Sequence, residues 1–111
     1  MKKILKQYYG YSEFRPGQKE IIDSILAGKD TLAIMPTGGG KSLCYQIPSL
    51  MFSGLTVVVS PLIALMEDQV KGLDSVGIPS LFLNSSLEWE DYLYNMNLIR
   101  RGEIKLLYVA P

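Results

Sequence analysis

The sequence predicts an α/β fold in which helices flank a parallel β-sheet. Along the chain the apolar residues switch repeatedly between the two-residue spacing of strands and the wider spacing of helices, which is typical of βαβ units. The run Leu55-Thr56-Val57-Val58-Val59 is apolar and β-branched, as expected of a strand covered on both faces. With 111 residues, 48% of them hydrophobic, the chain is expected to form one small domain, residues 1–111.

Four strands are predicted, at residues 31–35, 55–60, 80–83 and 105–109. Before the first strand, an apolar helical face is predicted to end at Gly28 in the left-handed conformation; it contains Ile21, Ile22, Ile25 and Leu26. A second helix is predicted from Lys41 to about Phe52, and Pro48 must either kink it or end its first turn.

Two later helices carry their own start signals. Ser60 followed by Pro61 resembles an N-cap with proline at the first helical position, and Ser85 with Glu88 forms a capping-box pattern. The stripes that follow are predicted to be core; they are Leu62, Leu65, Met66, Val70 and Leu73 in one helix, and Trp89, Leu93, Met96 and Ile99 in the other.

A glycine-rich segment joins the first predicted strand to the second helix. It reads Met35-Pro36-Thr37-Gly38-Gly39-Gly40-Lys41-Ser42, with Met35 where the general phosphate-loop pattern has its first glycine. Consecutive glycines let backbone N–H groups turn toward phosphate oxygens, Lys41 adds a charge for the β- and γ-phosphates, and Ser42 offers a hydroxyl to Mg²⁺. The segment predicts a P-loop NTPase that binds a nucleoside triphosphate; the alternative is a glycine-rich turn before Lys-Ser.

The composition narrows the function classes. Eleven basic residues balance eleven acidic ones, so nucleic acid would have to bind through a locally shaped site. One cysteine and no histidine exclude the common zinc sites and an internal disulfide, and leave magnesium held through the nucleotide as the expected metal. No apolar stretch reaches the length of a membrane span and the N-terminus lacks a signal-peptide pattern, so we expect a cytoplasmic protein without membrane contact.

Upstream of the glycines, Phe14-Arg15-Pro16-Gly17-Gln18 stands just before a predicted helix. The Gln18 amide can donate to adenine N7 and accept from its amino group, and Tyr11 or Arg15 could stack on the base. The alternative is a turn that feeds a helix N-terminus.

Four segments together resemble the first RecA-like domain of RecQ-family DNA helicases, in superfamily 2. They occur in the family's order and approximate spacing from about residue 9 to residue 111, namely Phe14 to Gln18, Met35 to Ser42, Val58 to Val70 and Leu107 to Pro111. The resemblance implies a RecA-like parallel sheet, with ATP and Mg²⁺ as cofactors.

Roles at the nucleotide follow from the resemblance, position by position. It implies that Tyr11, Arg15 and Gln18 recognise adenine, that Thr37, Gly38, Gly39, Gly40, Lys41 and Ser42 form motif I, and that Lys41 is essential for hydrolysis. Ser42 would hold Mg²⁺ through the nucleotide.

The resemblance also implies nucleic-acid contacts. Ser60, Pro61 and Leu62 correspond to motif Ia, which lies along the single strand, and Asn84 falls where the family again approaches nucleic acid. A structural cap remains the alternative for Ser60, and capping explains Ser85 equally. Trp89 either stacks on bases or packs, and Cys44 is either a thiol of lowered pKa or a small buried residue, with packing and burial favoured.

The family's Asp-Glu-x-His box is expected to follow Pro111, so we expect a helicase fragment truncated before that box. The resemblance implies that the whole protein couples ATP hydrolysis to 3′-to-5′ translocation on DNA and unwinds duplex in the cytoplasm beside the nucleoid. The fragment alone is expected to bind nucleotide without unwinding, and an open sheet edge predicts self-association. The alternative is a non-catalytic nucleotide-binding or interaction module.

Overall fold

The computed structural model describes residues 1–35, 40–85 and 87–111. Within these residues the predicted α/β class is confirmed. The helices and strands, in chain order, are α1 (Lys2–Tyr9), α2 (Gln18–Leu26), α3 (Leu43–Met51), β1 (Thr56–Val59), α4 (Ile63–Ser75), β2 (Ser80–Leu83), α5 (Trp89–Arg100) and β3 (Leu106–Val109). No helix in the described part of the chain is long and apolar enough to cross a membrane.

The three strands form a parallel sheet in the order β1-β3-β2. Leu106 at the start of β3 pairs with Thr56 of β1 on one side and with Ser80 of β2 on the other. The strands predicted at residues 55–60, 80–83 and 105–109 are therefore confirmed, and β3 lies in the centre.

The strand predicted at residues 31–35 is wrong, because this segment forms no strand with any described residue. The side chains of Leu32 and Ile34 are 90% and 91% exposed. A strand exists only when a neighbour completes its hydrogen bonds, so an apolar, β-branched composition is not sufficient by itself.

The expectation that β1 is covered on both faces is also wrong. Val57 and Val59 on one face of β1 are exposed, and among the described residues β1 pairs with β3 on one side only. The covered strand is β3, where Leu106, Leu107 and Tyr108 are all buried. The central position of β3 explains this difference, since it has a hydrogen-bonded neighbour on each side.

The chain divides into two compact units, Met1–Phe52 and Ser53–Pro111. The first contains α1, α2 and α3 around a core of Leu5, Ile22 and Ile47. Partly buried apolar residues surround that core; they are Met1, Ile4, Tyr9, Phe14, Leu26 and Leu43. One helix contributes each core residue, so burial of these side chains holds the three helices together.

The second unit contains the sheet with α4 and α5. The α4 helix packs against β2 and buries Met66 and Leu73, which confirms part of the predicted stripe, although Leu62 and Leu65 are exposed. The α5 helix has no fully buried residue, so its predicted core stripe is wrong. Helical spacing places residues on one face, but it does not ensure that another element covers that face.

The helix ends differ in part from the expectations. Gly28 follows α2 with a φ of 79°, as predicted, and α3 continues past Pro48 to Met51, so the proline does not end its first turn. The predicted capping box and the Ser60 N-cap are wrong. Residue 88 is the N-cap of α5 and residue 62 that of α4, and neither makes a side-chain capping hydrogen bond.

Candidate nucleotide-binding site

The N-terminus of α2 positions Gln18 inside the first unit. Gly17, the N-cap, adopts a φ of 87°, and the Gln18 N–H donates to the carbonyl of Arg15 at 3.1 Å. This tight turn directs the Gln18 side chain inward, where it is only 2% exposed. Gln18, which the sequence predicts to recognise adenine, is therefore a buried polar residue.

Two hydrogen bonds hold the Gln18 amide. Its Oε1 accepts from the Arg15 N–H at 2.8 Å, and its Nε2 donates to the Gly40 carbonyl at 3.1 Å. These bonds use one of the two N–H donors and one of the acceptor positions of the amide. The predicted adenine motif and the end of the predicted phosphate loop are thus joined directly through this side chain.

Gly40 is at a position that requires glycine. Its φ is +80°, in the left-handed region that side chains disfavour, and a Cβ there would overlap the Gln18 amide. The backbone at residue 40 can therefore approach Gln18 only because no side chain intervenes.

Lys41 and Ser42 lie where α3 begins. Lys41 is exposed, and Ser42 is the N-cap of the helix, with a carbonyl that accepts from the Gln46 N–H at 3.0 Å. The Ser42 hydroxyl makes no capping hydrogen bond. The positive end of the helix dipole, next to an exposed ammonium group, suits a phosphate group, although the N–H groups of Cys44 and Tyr45 already donate to the carbonyls of Lys41 and Ser42. The described part of the loop, residues 40–42, suits the phosphates of a nucleoside triphosphate. Thr37, Gly38 and Gly39 lie outside the described residues.

The residues predicted to contact the base lie together. Tyr11, Arg15 and Gln18 line one cavity of about 100 Å³, and its remaining lining consists of Leu5, Glu13 and Leu43. Tyr11 and Arg15 are exposed at the surface, whereas Gln18 forms the buried side. The arrangement leaves an aromatic ring and a guanidinium accessible for stacking on a planar group.

A second cavity, of about 200 Å³, lies beside Lys41. It is lined by Ile21, Ile25, Thr31, Ala33, Met35, Lys41, Cys44 and Tyr45. Residues 31, 33 and 35 line this cavity, whereas Leu32 and Ile34 do not. The segment therefore keeps the two-residue alternation of a strand without a strand partner among the described residues, a feature that the sequence analysis missed.

Cys44 is a buried residue next to the loop. Its Sγ lies 3.9 Å from the Sδ of Met35 and 3.8 Å from the Gly40 carbonyl oxygen. Burial raises the pKa of the Cys44 thiol. The structure confirms the favoured prediction of a small buried residue, because a thiol of raised pKa is mostly protonated and unreactive at neutral pH.

Tyr9 joins α1 to α3. Its hydroxyl donates to the Gln46 Oε1 at 2.6 Å, and burial, followed by the nearby Tyr45, raises the pKa of Tyr9 to about 12. Tyr9 has no role among the predictions from the sequence, because a polar contact between residues 37 positions apart leaves no local pattern. The bond fixes α1 to α3, the helix whose N-cap is Ser42.

The predicted nucleic-acid residues lie in the second unit. Ser60 follows β1 directly, its N–H donates to the Val109 carbonyl at 2.9 Å, and its Oγ accepts from the Leu62 N–H at 3.3 Å. Pro61 and Leu62 are exposed. Asn84 follows β2 directly, and its Nδ2 contacts the Met66 Sδ at 3.7 Å.

Ser60 and Asn84 lie at the same edge of the sheet. Because β1, β3 and β2 are parallel, the residues that follow β1 and β2 both lie at the carboxyl edge, two strand spacings or roughly 10 Å apart. Ligands of open parallel sheets bind beyond this edge. The structure therefore brings the two predicted nucleic-acid positions to one surface.

Within the described residues, no group of three or more cysteine, aspartate or glutamate side chains could hold a metal ion. Ser42, whose hydroxyl is predicted to contact Mg²⁺, lies among the described residues as the N-cap of α3.

Comparison with known proteins gives one family match. The model of the DEAD/DEAH box helicase family matches residues 15–111, which is most of the chain. The matched range includes Gln18, Gly40, Lys41, Ser42 and all three strands.

Individual relatives are similar over nearly the whole chain. The sequence is 54% identical to the ATP-dependent DNA helicase RecQ of Haemophilus influenzae, over 97% of this chain and 17% of that protein. It is 48% identical to the ATP-dependent DNA helicase RecQ of Bacillus subtilis, over 97% of this chain and 18% of that protein. It is 47% identical to the ATP-dependent DNA helicase Q-like 2 of Arabidopsis thaliana, over 93% of this chain and 15% of that protein. The chain thus spans less than one fifth of the length of each of these relatives.

Proposed function

Because the chain belongs to the DEAD/DEAH box helicase family, we propose that it is the ATP-binding part of a RecQ-like DNA helicase. The observation that carries this proposal is the hydrogen bond from the Gln18 amide to the Gly40 carbonyl. It connects the predicted base-recognition motif to the predicted phosphate loop, which supports the proposal that both belong to one nucleotide site.

Each described residue at the site has a specific role in the proposal. The Lys41 ammonium neutralises the β- and γ-phosphates, the Ser42 hydroxyl contacts Mg²⁺, and Tyr11 with Arg15 stacks on adenine. Gln18 orients the base through the second N–H of its Nε2 and the second lone pair of its Oε1, because its bonds to Arg15 and Gly40 use one of each. The resemblance assigns Thr37, Gly38 and Gly39, which lie outside the described residues, to the same phosphate loop.

Hydrolysis needs more than these groups. Phosphoryl transfer in P-loop NTPases uses a carboxylate that positions Mg²⁺ and the attacking water, together with an arginine at the γ-phosphate. The RecQ resemblance assigns both to segments other than residues 1–111. We therefore propose that the 111-residue chain binds ATP with Mg²⁺ and does not unwind DNA alone, whereas the whole protein translocates 3′ to 5′ on DNA, in the cytoplasm beside the nucleoid.

The DNA surface in this proposal is the carboxyl edge of the sheet. The Ser60 hydroxyl and the Asn84 amide are neutral polar groups suited to phosphate oxygens, and the exposed Pro61 and Leu62 offer apolar contact beside Ser60. This agrees with a chain whose charges balance and whose nucleic-acid contacts must be local.

The first experiment is a titration with a fluorescent ATP analogue in Mg²⁺, comparing the unmodified chain with Lys41→Ala and with Lys29→Ala. Lys29 is an exposed lysine outside the site, so it is the matched control. Loss of the Lys41 charge is expected to weaken binding about tenfold to a hundredfold, the range for a hydrogen bond to a charged group, and Lys29→Ala should leave it unchanged.

Competition with unlabelled ATP and GTP tests the base-recognition part. We expect ATP to displace the analogue at lower concentration than GTP and Gln18→Ala to reduce that preference, whereas Tyr11→Ala should weaken displacement by both nucleotides, because stacking does not distinguish the two bases. If a folded chain binds no analogue, or if Lys29→Ala weakens binding as much as Lys41→Ala, the nucleotide proposal fails and the non-catalytic interaction module takes its place.

The DNA surface is tested separately, by fluorescence anisotropy with labelled single-stranded oligothymidine. The double change Ser60→Ala with Asn84→Ala should weaken binding, because it removes two polar contacts at the same edge. Ser53→Ala, in an exposed residue that precedes β1 and so lies near the opposite end of the strands, is the control. Equal affinity of the double variant and the control would contradict this assignment.

A further inference from the structure

The first turns of α5 carry an exposed aromatic face. The rings of Trp89 and Tyr92 stack, with centroids 5.6 Å apart and planes 11° from parallel, and Trp89 is 69% exposed. Leu93, four residues after Trp89, is exposed on the same side of the helix. The stacked rings restrict each other, so this face offers a flat apolar surface at little cost in side-chain entropy.

Acidic residues border this face. Glu88 precedes Trp89 and Glu90 follows it; both are exposed, and neither forms an ion pair with any residue that the structure describes. Residues 72–99 contain four carboxylates and no lysine or arginine. The charged residues next to Trp89 in the chain, Glu88, Glu90 and Asp91, are all acidic, so in a chain with balanced charge overall the first turn of α5 is locally negative.

We propose that this aromatic-acidic face, formed by Trp89, Tyr92, Leu93, Glu88 and Glu90, is a docking site for a basic segment of a partner protein. An arginine or lysine side chain of the partner lies over the Trp89 ring in a cation–π contact, while its neighbours pair with the two carboxylates. The face lies wholly within the second unit, and the proposal is independent of the nucleotide site.

Charge decides between this partner and nucleic acid. Stacking of bases on Trp89 and Tyr92 would bring DNA phosphates close to Glu88 and Glu90, where like charges repel across a short distance. A cationic peptide meets attraction from both the rings and the carboxylates. Single-stranded DNA on this face is therefore the disfavoured occupant and one outcome of the test.

The experiment uses the full chain, in which Trp89 is the only tryptophan, so its emission reports directly on the face. The probe is a short synthetic peptide in which arginine alternates with leucine and glycine, compared with the same peptide carrying glutamine at every arginine. The arginine peptide is expected to change the emission saturably, with a weaker effect at high salt, and the glutamine peptide to leave it unchanged.

Variants locate the binding. The double change Glu88→Gln with Glu90→Gln should weaken binding of the arginine peptide roughly three- to tenfold, the size of one or two exposed ion pairs. The control pair Glu67→Gln with Glu103→Gln, at exposed positions elsewhere in the second unit, should leave binding unchanged. Tyr92→Ala should also weaken it, because it removes the stacking partner while Trp89 still reports.

Two results would overturn the proposal. One is an emission change with single-stranded oligothymidine and none with the arginine peptide, which would assign the face to nucleic acid. The other is equal weakening by the control pair, which would mean unspecific attraction to the whole chain. Circular dichroism of each variant confirms that its helices are retained, so that a loss of binding is not a loss of folding.

Discussion

The Gln18 amide donates to the backbone carbonyl of Gly40 at 3.1 Å, across 22 positions of sequence. Because the same side chain accepts from the Arg15 N–H, one residue satisfies two backbone groups from different segments. A buried amide with both partners present fixes the loop against α2, whereas its removal would leave two backbone groups without this partner.

Replacement of Gln18 by alanine is therefore expected to lower the free energy of unfolding by about 1–3 kcal/mol, the cost of leaving buried backbone groups unsatisfied. Urea unfolding followed by circular dichroism measures it. Gln7→Ala, in an exposed glutamine of α1, is the control and should change stability by less than about 0.5 kcal/mol. Similar losses in both variants would show that the bonds of Gln18 contribute nothing specific.

Replacement of Gly40 by alanine should weaken binding of the ATP analogue. Alanine costs about 1–2 kcal/mol in the left-handed conformation, and its Cβ would displace the Gln18 amide. The control is Gly54→Ala, where an added Cβ meets no atom within 4 Å. Isothermal titration calorimetry measures the affinity of both variants for the ATP analogue. Unchanged affinity of the Gly40 variant would show that binding does not require glycine at this position.

Replacement of Tyr9 by phenylalanine should lower stability at pH 7 by about 0.5–1.5 kcal/mol through loss of the hydrogen bond to Gln46. The pKa of Tyr9 is raised to about 12 in the folded chain, so its contribution is complete below about pH 10 and is lost as the pH rises toward 12. The stability difference between the two proteins should therefore shrink over that range.

Unfolding titrations at pH 7, 10 and 11 measure this difference, with Tyr8→Phe on the same helix as the control. A difference between wild type and Tyr9→Phe that stays constant from pH 7 to 11 would contradict the assigned cause of the pKa shift.

Replacement of Val59 by lysine should reduce self-association. Val59 is 64% exposed on β1, a strand with one side unpaired among the described residues, and a charge on an edge strand disfavours pairing between copies. Sedimentation velocity across a concentration series measures the association, with Leu65→Lys, at an exposed apolar residue of α4, as the control. Association that persists in Val59→Lys and disappears in Leu65→Lys would place the contact on α4.

The sequence predicted β2 to the residue, at 80–83, because its apolar run is bounded by turn residues on both sides. It could not predict that residues 31–35 lack a strand partner, since pairing depends on distant segments and not on local composition. The exposure of Trp89 was unpredictable for the same reason. A helical stripe shows which residues share a face, and only the tertiary structure shows what covers it.

At the candidate site, the identities of Gln18, Lys41 and Ser42 followed from residue chemistry, spacing and family resemblance. The bond between Gln18 and Gly40 did not, because it depends on the turn at Gly17 and on the left-handed backbone at residue 40. Tyr9 was missed entirely. Its partner Gln46 lies in another helix, and no sequence period relates the two positions.

The position of β3 in the sheet also determines the order in which the second unit assembles. Leu106 pairs with Thr56 and with Ser80, which lie 50 and 26 positions earlier in the chain. The strands β1 and β2 do not pair with each other. Every strand pair must therefore close a long loop before it gains a hydrogen bond, which makes nucleation of this sheet slow. On the ribosome, both outer strands emerge before the central one and stay unpaired until residues 106–109 have been synthesised. During that interval their unpaired edges are open to aggregation, although β2 can already pack against α4 and α5.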